Sequence, residues 1–189
     1  MDECGLRDRA VADHAEAVLL TGLFGTGKST VAIEVADTLE KRDMPYAVLD
    51  LDWLCWGYAG TGEAAEHRML LANLAPVVTN FRVAGARFFI LARSIRSREE
   101  LDGVRDTLAM PLRVVRLTAP WAEIERRLQK DVTGARQDDL RDAAAWRDAG
   151  LGEGIEDRTV DNGDRPLPDV AAEIIAWLGW SIGPDPQAG

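Results

Sequence analysis

The amino-acid sequence predicts a doubly wound α/β domain on a five-stranded parallel sheet, layered α/β/α, and three observations carry that expectation. Five short apolar runs alternate along the chain with longer stretches of helical period. The runs are continuously apolar, as in parallel strands covered on both faces by helices. The chain's 189 residues, 47% hydrophobic and 29% charged, supply one full core without disulfide or metal staples. A single domain over 1–189 is therefore expected, with 1–15 as an N-terminal extension.

Taken in order, a strand over 17–21 runs into a glycine-rich turn and a helix over 28–42. A second strand over 46–51 comes next. The stretch 63–83 has helical period but contains Pro76, which removes one backbone hydrogen bond and clashes with the preceding turn, so two short helices or one kinked helix are expected. A third strand over 87–92 leads to a helix over 97–109, where Ser97 precedes Arg98, Glu99 and Glu100 and so places acids in the first turn. A strand over 112–117 precedes a proline-led helix, Pro120 then 121–130. An acidic helical stretch at 138–149, a strand over 158–161 and a helix over 168–178 complete the alternation. In such a sheet, ligands bind at the carboxyl ends of the strands.

The first strand–helix turn carries the strongest signal. Residues 22–29 read Gly-Leu-Phe-Gly-Thr-Gly-Lys-Ser and fit the G-x-x-x-x-G-K-[ST] phosphate loop, after a strand and at the start of a helix. Gly22, Gly25 and Gly27 let the backbone curl so that its N–H groups, with those of Phe24 and Thr26, point at the β-phosphate, and the helix N-terminus adds its positive end. Lys28 is placed to reach the β- and γ-phosphates, Ser29 offers a hydroxyl to Mg²⁺, and Thr30 continues into the helix. The chain holds 19 arginines but only three lysines, at 28, 41 and 130, and one of the three occupies this slot. ATP with Mg²⁺ is the implied cofactor.

Two carboxylates add a reacting centre. The third strand ends without an Asp, so the metal-holding carboxylate common in motor-type ATPases must come from elsewhere. The second strand ends Asp50-Leu-Asp52, two residues apart and so on one face of an extended strand. Phosphoryl transfer needs such groups: one to hold the metal and one to accept a hydroxyl proton. The competing reading is that one of the two merely caps the following turn.

These segments resemble the small phosphate-loop kinases, the group that includes adenylylsulphate kinase, shikimate kinase, gluconate kinase and chloramphenicol phosphotransferase, with a nucleoside-monophosphate-kinase-like fold. The resemblance rests on the loop at 22–29, on Asp50 and Asp52, on the segment 118–130 with its Arg126-Arg127 pair, and on Thr-Val-Asp-Asn-Gly-Asp at 159–164. It implies that Asp50 holds Mg²⁺ through water together with Ser29, and that Asp52 holds or deprotonates the acceptor, the two roles being exchangeable. It implies further that the Arg-rich helix leads into a lid at about 131–150, and that Asn162 and Gly163 border the adenine. Arg126 and Lys130 share one helix face while Arg127 points away, so at least one of these cations should meet phosphate, Arg127 on the transferring group and Arg126 on the nucleotide; the competing reading is a solvated basic face paired with Glu123 and Glu125. Lys130 stands where such families often carry Arg, and the expected lid is acidic apart from Arg136, Arg141 and Arg147.

The acceptor side is read from the residues after Asp52. Trp53, Trp56 and Tyr58 fall in a glycine-interrupted loop, two of the six tryptophans and one of the two tyrosines, suited to a ring-bearing or partly apolar acceptor or else to roofing the core. Arg93 and Arg96, after the third strand, would bind an acidic group or pair with local acids. Only Arg68 occurs among the cations of 53–68, which favours a neutral or lightly charged alcohol over a monophosphate. The resulting expectation is an ATP-dependent phosphotransferase acting on a hydroxyl of a metabolite or antibiotic-like compound. A nucleoside or nucleotide kinase and a non-kinase ATP-binding switch are the alternatives.

The formal net charge of −10 repels nucleic acid and anionic lipid, so neither is expected as a partner. No run approaches the roughly 18 apolar residues of a membrane span, and Cys4 and Cys55 suggest neither a disulfide framework nor a zinc site. A cytoplasmic monomer or homodimer is the expectation.

Overall fold

A computed structural model describes residues 15–57, 62–129 and 134–180, with side chains from residue 138 onward in the last segment. Five strands form one sheet: β1 (Glu16–Thr21), β2 (Tyr46–Asp50), β3 (Phe88–Ala92), β4 (Leu112–Thr118) and β5 (Arg158–Asp161). All neighbours are parallel, in the order β2-β3-β1-β4-β5. The helices between them are α1 (Lys28–Glu40), α2 (Glu63–Val83), α3 (Arg98–Leu108), α4 (Trp121–Gln129), α5 (Gly134–Ala149) and α6 (Leu167–Leu178). Every parallel pairing needs a crossover, and the helices supply it.

The period-2 alternation of the central strand divides the core into two layers. Val18 and Leu20 face α1 and α6 through Val31, Val35, Leu39, Val170, Ile174 and Leu178. Ala17 and Leu19 face α2 and α3 through Leu70, Leu74, Leu101 and Val104. Both faces are therefore dry, and each fully buried Leu or Val contributes roughly 1.5–3 kcal/mol of hydrophobic stabilisation. A third, smaller cluster of Ile124, Leu128 and Ala143 packs α5 and α4 against Leu23 and Phe24 of the phosphate loop.

Of the two alternatives at Pro76 the single helix is found: α2 runs through it, and Pro76 and Ala72, whose carbonyl loses its helical donor, both sit on the exposed face, where water can take the bond. Three other elements differ from the sequence expectation. β2 stops at Asp50 rather than at 51, because Asp50 Oδ1 accepts from the Asp52 backbone N–H and starts a 3₁₀ turn over Leu51–Leu54. The acidic helix begins at Gly134, four residues before the expected start. Ser97 is the cap of α3 rather than its first residue, accepting from the Glu100 N–H.

Among the described residues no helix is long and apolar enough to cross a membrane.

Candidate active site

The turn after β1 lies at the centre of the sheet's carboxyl edge, between β3 and β4. Two of its glycines are dictated by close approach and by a positive φ. A Cβ on Gly22 (φ 136°) would lie 2.4 Å from the Leu117 carbonyl oxygen, and one on Gly27 (φ 89°) would lie 2.6 Å from the Asn162 side-chain nitrogen. Gly27 is the N-cap of α1. It brings no side-chain cap, and no acid occupies the first turn, so those backbone N–H groups point into the loop beside the dipole's positive end.

Side chains brace this loop from below. Thr26, buried, donates from its hydroxyl to the Leu23 carbonyl at 2.8 Å. Ser94 donates to the Gly22 carbonyl at 2.9 Å, and the Asn162 amide donates to the Thr26 carbonyl at 2.8 Å. The Lys28 ammonium curls back over the loop, donating to the carbonyls of Leu23 (3.0 Å) and Gly22 (3.2 Å) and lying 5.5 Å from the Phe24 ring centre. Thr30 is exposed on the first turn of α1.

Arg127 is placed differently from the sequence expectation. Its guanidinium donates to the carbonyls of Asn162 and Gly163 (2.8 Å each), more weakly to those of Gly25 (3.4 Å) and Thr26 (3.5 Å), and to Glu123 at 2.6 Å. It therefore joins the phosphate loop to the loop after β5. Arg126, more exposed, pairs with the same Glu123. These hydrogen bonds, Arg126's before Arg127's, hold the Glu123 carboxyl down at about 2. Lys130 and Tyr58 lie outside the described residues, as do the side chain of Arg136 and all of residues 130–133 between α4 and α5.

Across the loop stand the two carboxylates. Asp50 uses one oxygen for the 3₁₀ turn and the other for Ser29, whose hydroxyl donates to it at 2.7 Å. The capping role and the site-facing role are thus both filled by one side chain. Asp52 accepts from Arg93 at 2.7 Å. Desolvation pushes its half-exposed carboxyl above the usual aspartate range; Arg93 and Lys28 pull it down, while Asp50 and Asp139 push it further up. The Arg93 side chain, 14% exposed, also donates to the Sγ of Cys55 at 3.4 Å; Cys55 is half-buried at the site's edge and packs against the core layer beneath it.

Arg96 pairs with local acids, with Glu63 at 2.6 Å and Glu100 at 2.7 Å. Together these residues border an open hollow of about 510 Å³ between the N-termini of α2 and α3. Trp53 and Trp56 do not roof the core. They stand 68% and 71% exposed, with ring centres 4.6 Å apart.

One participant carried no motif. Trp146, on the acidic helix α5, meets the Phe24 ring edge-on at 5.4 Å, with the Arg96 guanidinium 5.8 Å from its own ring. A lone tryptophan in an otherwise polar helix was its only signal. The described arginines of α5 are occupied locally, Arg141 by Asp138 and Arg147 by Asp148 and by the Trp121 ring at 4.0 Å.

The family model for adenylylsulphate kinase matches residues 14–137. No curated protein sequence matches the chain. Among solved structures, a sugar kinase from Janibacter sp. HTCC2649 superposes with a TM-score of 0.63 at 21% identity, over 87% of this chain and 95% of that one. The Mycobacterium tuberculosis APS kinase in complex with AMPPNP and APS gives 0.61 at 26% identity, over 88% and 98%. The tunicamycin resistance protein of Deinococcus radiodurans gives 0.62 at 20% identity, over 91% and 100%. The chain thus shares its fold with a sugar kinase, an APS kinase and a tunicamycin resistance protein.

Proposed function

Because this chain belongs to the adenylylsulphate kinase family, we propose that it transfers the γ-phosphoryl group of ATP to a hydroxyl of a small organic molecule. The observation that carries the proposal is the meeting of Ser29 with Asp50, and of Asp52 with Arg93, at the open end of the phosphate loop. A nucleotide-binding switch needs the loop but has no use for a second carboxylate facing it.

The roles follow from the chemistry. The backbone N–H groups of 22–28 and the start of α1 take the β-phosphate, and Lys28 leaves its loop carbonyls for the β,γ-oxygens. Ser29 and Asp50 are hard oxygen donors side by side and suit Mg²⁺, which keeps several waters and takes its remaining ligands from phosphate. Bound there, the ion would neutralise charge on the β- and γ-phosphates. Asp52 orients the acceptor hydroxyl and receives its proton as the acceptor oxygen bonds to the γ-phosphorus and the bond to the ADP oxygen breaks. Its raised pKa makes it a stronger base than an ordinary aspartate. Arg127 keeps the loop's shape by holding its carbonyls, and Arg126, more exposed, would leave Glu123 to meet the nucleotide. Trp53 and Trp56 form the acceptor side, with α5 as the lid.

Acceptor-dependent ADP release tests this reading. Lys28→Ala and Asp52→Asn are each expected to lower kcat by roughly 10²–10⁴-fold with the fold intact. Unchanged turnover in Asp52→Asn removes it as the base, and ATP binding with no stimulation by any alcohol favours the switch.

A further inference from the structure

Resting on this phosphotransfer reading, we infer that the acceptor is an alcohol without phosphate, sulphate or carboxylate groups, seated against the exposed faces of Trp53 and Trp56. Adenylylsulphate, a phosphate–sulphate anhydride, is then not the acceptor of this member of the family.

The first reason is how the cations at the carboxyl end of β3 are spent. Arg93 is held by Asp52, the proposed base, and leans on Cys55. Arg96 carries two acids at once, Glu63 and Glu100, and Arg98 donates to the Gly154 carbonyl at 2.9 Å. At Arg93 or Arg96 an anionic acceptor would have to displace a carboxylate and would then lie beside it. Displacing Asp52 from Arg93 would also disturb the group that must take the proton.

The second reason is the sign of what overhangs the site. The lid helix brings Asp138, Asp139 and Asp142, and its Arg141 is already engaged with Asp138. Its Trp146 meets Phe24 of the phosphate loop, which seats this acidic helix beside the site. With ATP bound, the field opposing an incoming anion increases.

The third reason is the indole pair. Two rings 4.6 Å apart and mostly exposed, one residue and four residues after Asp52, leave a large apolar surface beside the reacting centre. The negative faces of indole rings attract polarised C–H faces of sugar-like rings and cations, and repel anions. Charge and aromatic surface therefore select the same acceptors.

The test uses the full chain with ATP and Mg²⁺ and reads ADP release for acceptors paired to differ in their anionic groups: adenosine against adenylylsulphate, glucose against gluconate, and amino-sugars against sugar phosphates. The non-anionic member of the best pair is expected to have kcat/KM about tenfold or more above its partner. Trp53→Ala with Trp56→Ala is expected to raise the acceptor KM about tenfold while the ATP KM stays within about twofold, and Trp53→Phe with Trp56→Phe to restore most of the loss. Lys28-dependent turnover preferring adenylylsulphate or another anion overturns this inference and leaves phosphotransfer standing. An unchanged acceptor KM in the double alanine variant overturns the seat on the indoles. Absence of acceptor-dependent ADP release from every compound overturns phosphotransfer and this inference with it.

Discussion

Asp52 carries a cost that its chemistry explains. Its folded pKa is raised, chiefly by desolvation, so the stability it contributes is fully present below its unfolded pKa and is lost as pH rises through the folded value. The rate, expressed as kcat/KM, should rise with pH through an apparent pKa above the ordinary aspartate range, because the ionised form is the base. Asp52→Asn should lose activity while melting at the same temperature or higher near neutral pH, and a fall in melting temperature would contradict the assignment. Arg127 behaves oppositely, as a residue acting through backbone. Arg127→Ala should raise the ATP KM by roughly tenfold with a smaller loss in kcat, and Arg127→Lys should not rescue it, since one ammonium cannot span carbonyls of two loops. Equal rescue by lysine would show that charge alone suffices. At this scale, sequence reasoning put Ser29, Asp50 and Asp52 at one end of the sheet but did not give each contact: the spacing of Arg126 and Arg127 separates two helix faces, yet what each face meets depends on the loop after β5, far along the chain.

At the scale of elements, the phosphate loop was legible because strand, glycines, lysine and helix are contiguous in sequence. The end of β2 was not, since the same Asp50 that faces Ser29 also caps the turn and bends the chain, and alternation alone cannot foresee that bend. Pro76 reads as a break because local sterics disfavour it, but α2 keeps its course by packing Leu70, Leu74 and Val78 while the weakened turn faces water. Helix α5 shows the reverse case. Its weak apolar pattern hid a docking contact, Trp146 on Phe24, with Ala143 buried beside it. If that contact seats the lid and excludes water from the transferring group, Trp146→Ala should increase ATP hydrolysis without acceptor several-fold relative to transfer. The ratio of inorganic phosphate to phosphorylated acceptor measures this. An unchanged ratio would leave Trp146 with a packing role only.

For the whole molecule, alternation and continuous apolar runs foretold the parallel sheet, but not its order β2-β3-β1-β4-β5, which depends on which crossovers pass over which strand. That order sets β1 between β3 and β4, so Ser94 and Asn162, distant in sequence, both brace the same loop. The net charge of −10 and the binding of a polyanion are reconciled at this level too: the surface is acidic on average, while the loop offers N–H groups, a helix end and Lys28 locally. Part of the acid excess falls on α5, which carries Asp138, Asp139, Asp142 and Asp148. The central claim is that phosphate passes from ATP to an alcohol between Lys28 and Asp52, and following the label from γ-³²P-ATP tests it most directly. The account predicts label in a phosphate monoester of the acceptor, lost in Lys28→Ala and in Asp52→Asn; label appearing only as inorganic phosphate, whatever alcohol is supplied, would contradict it.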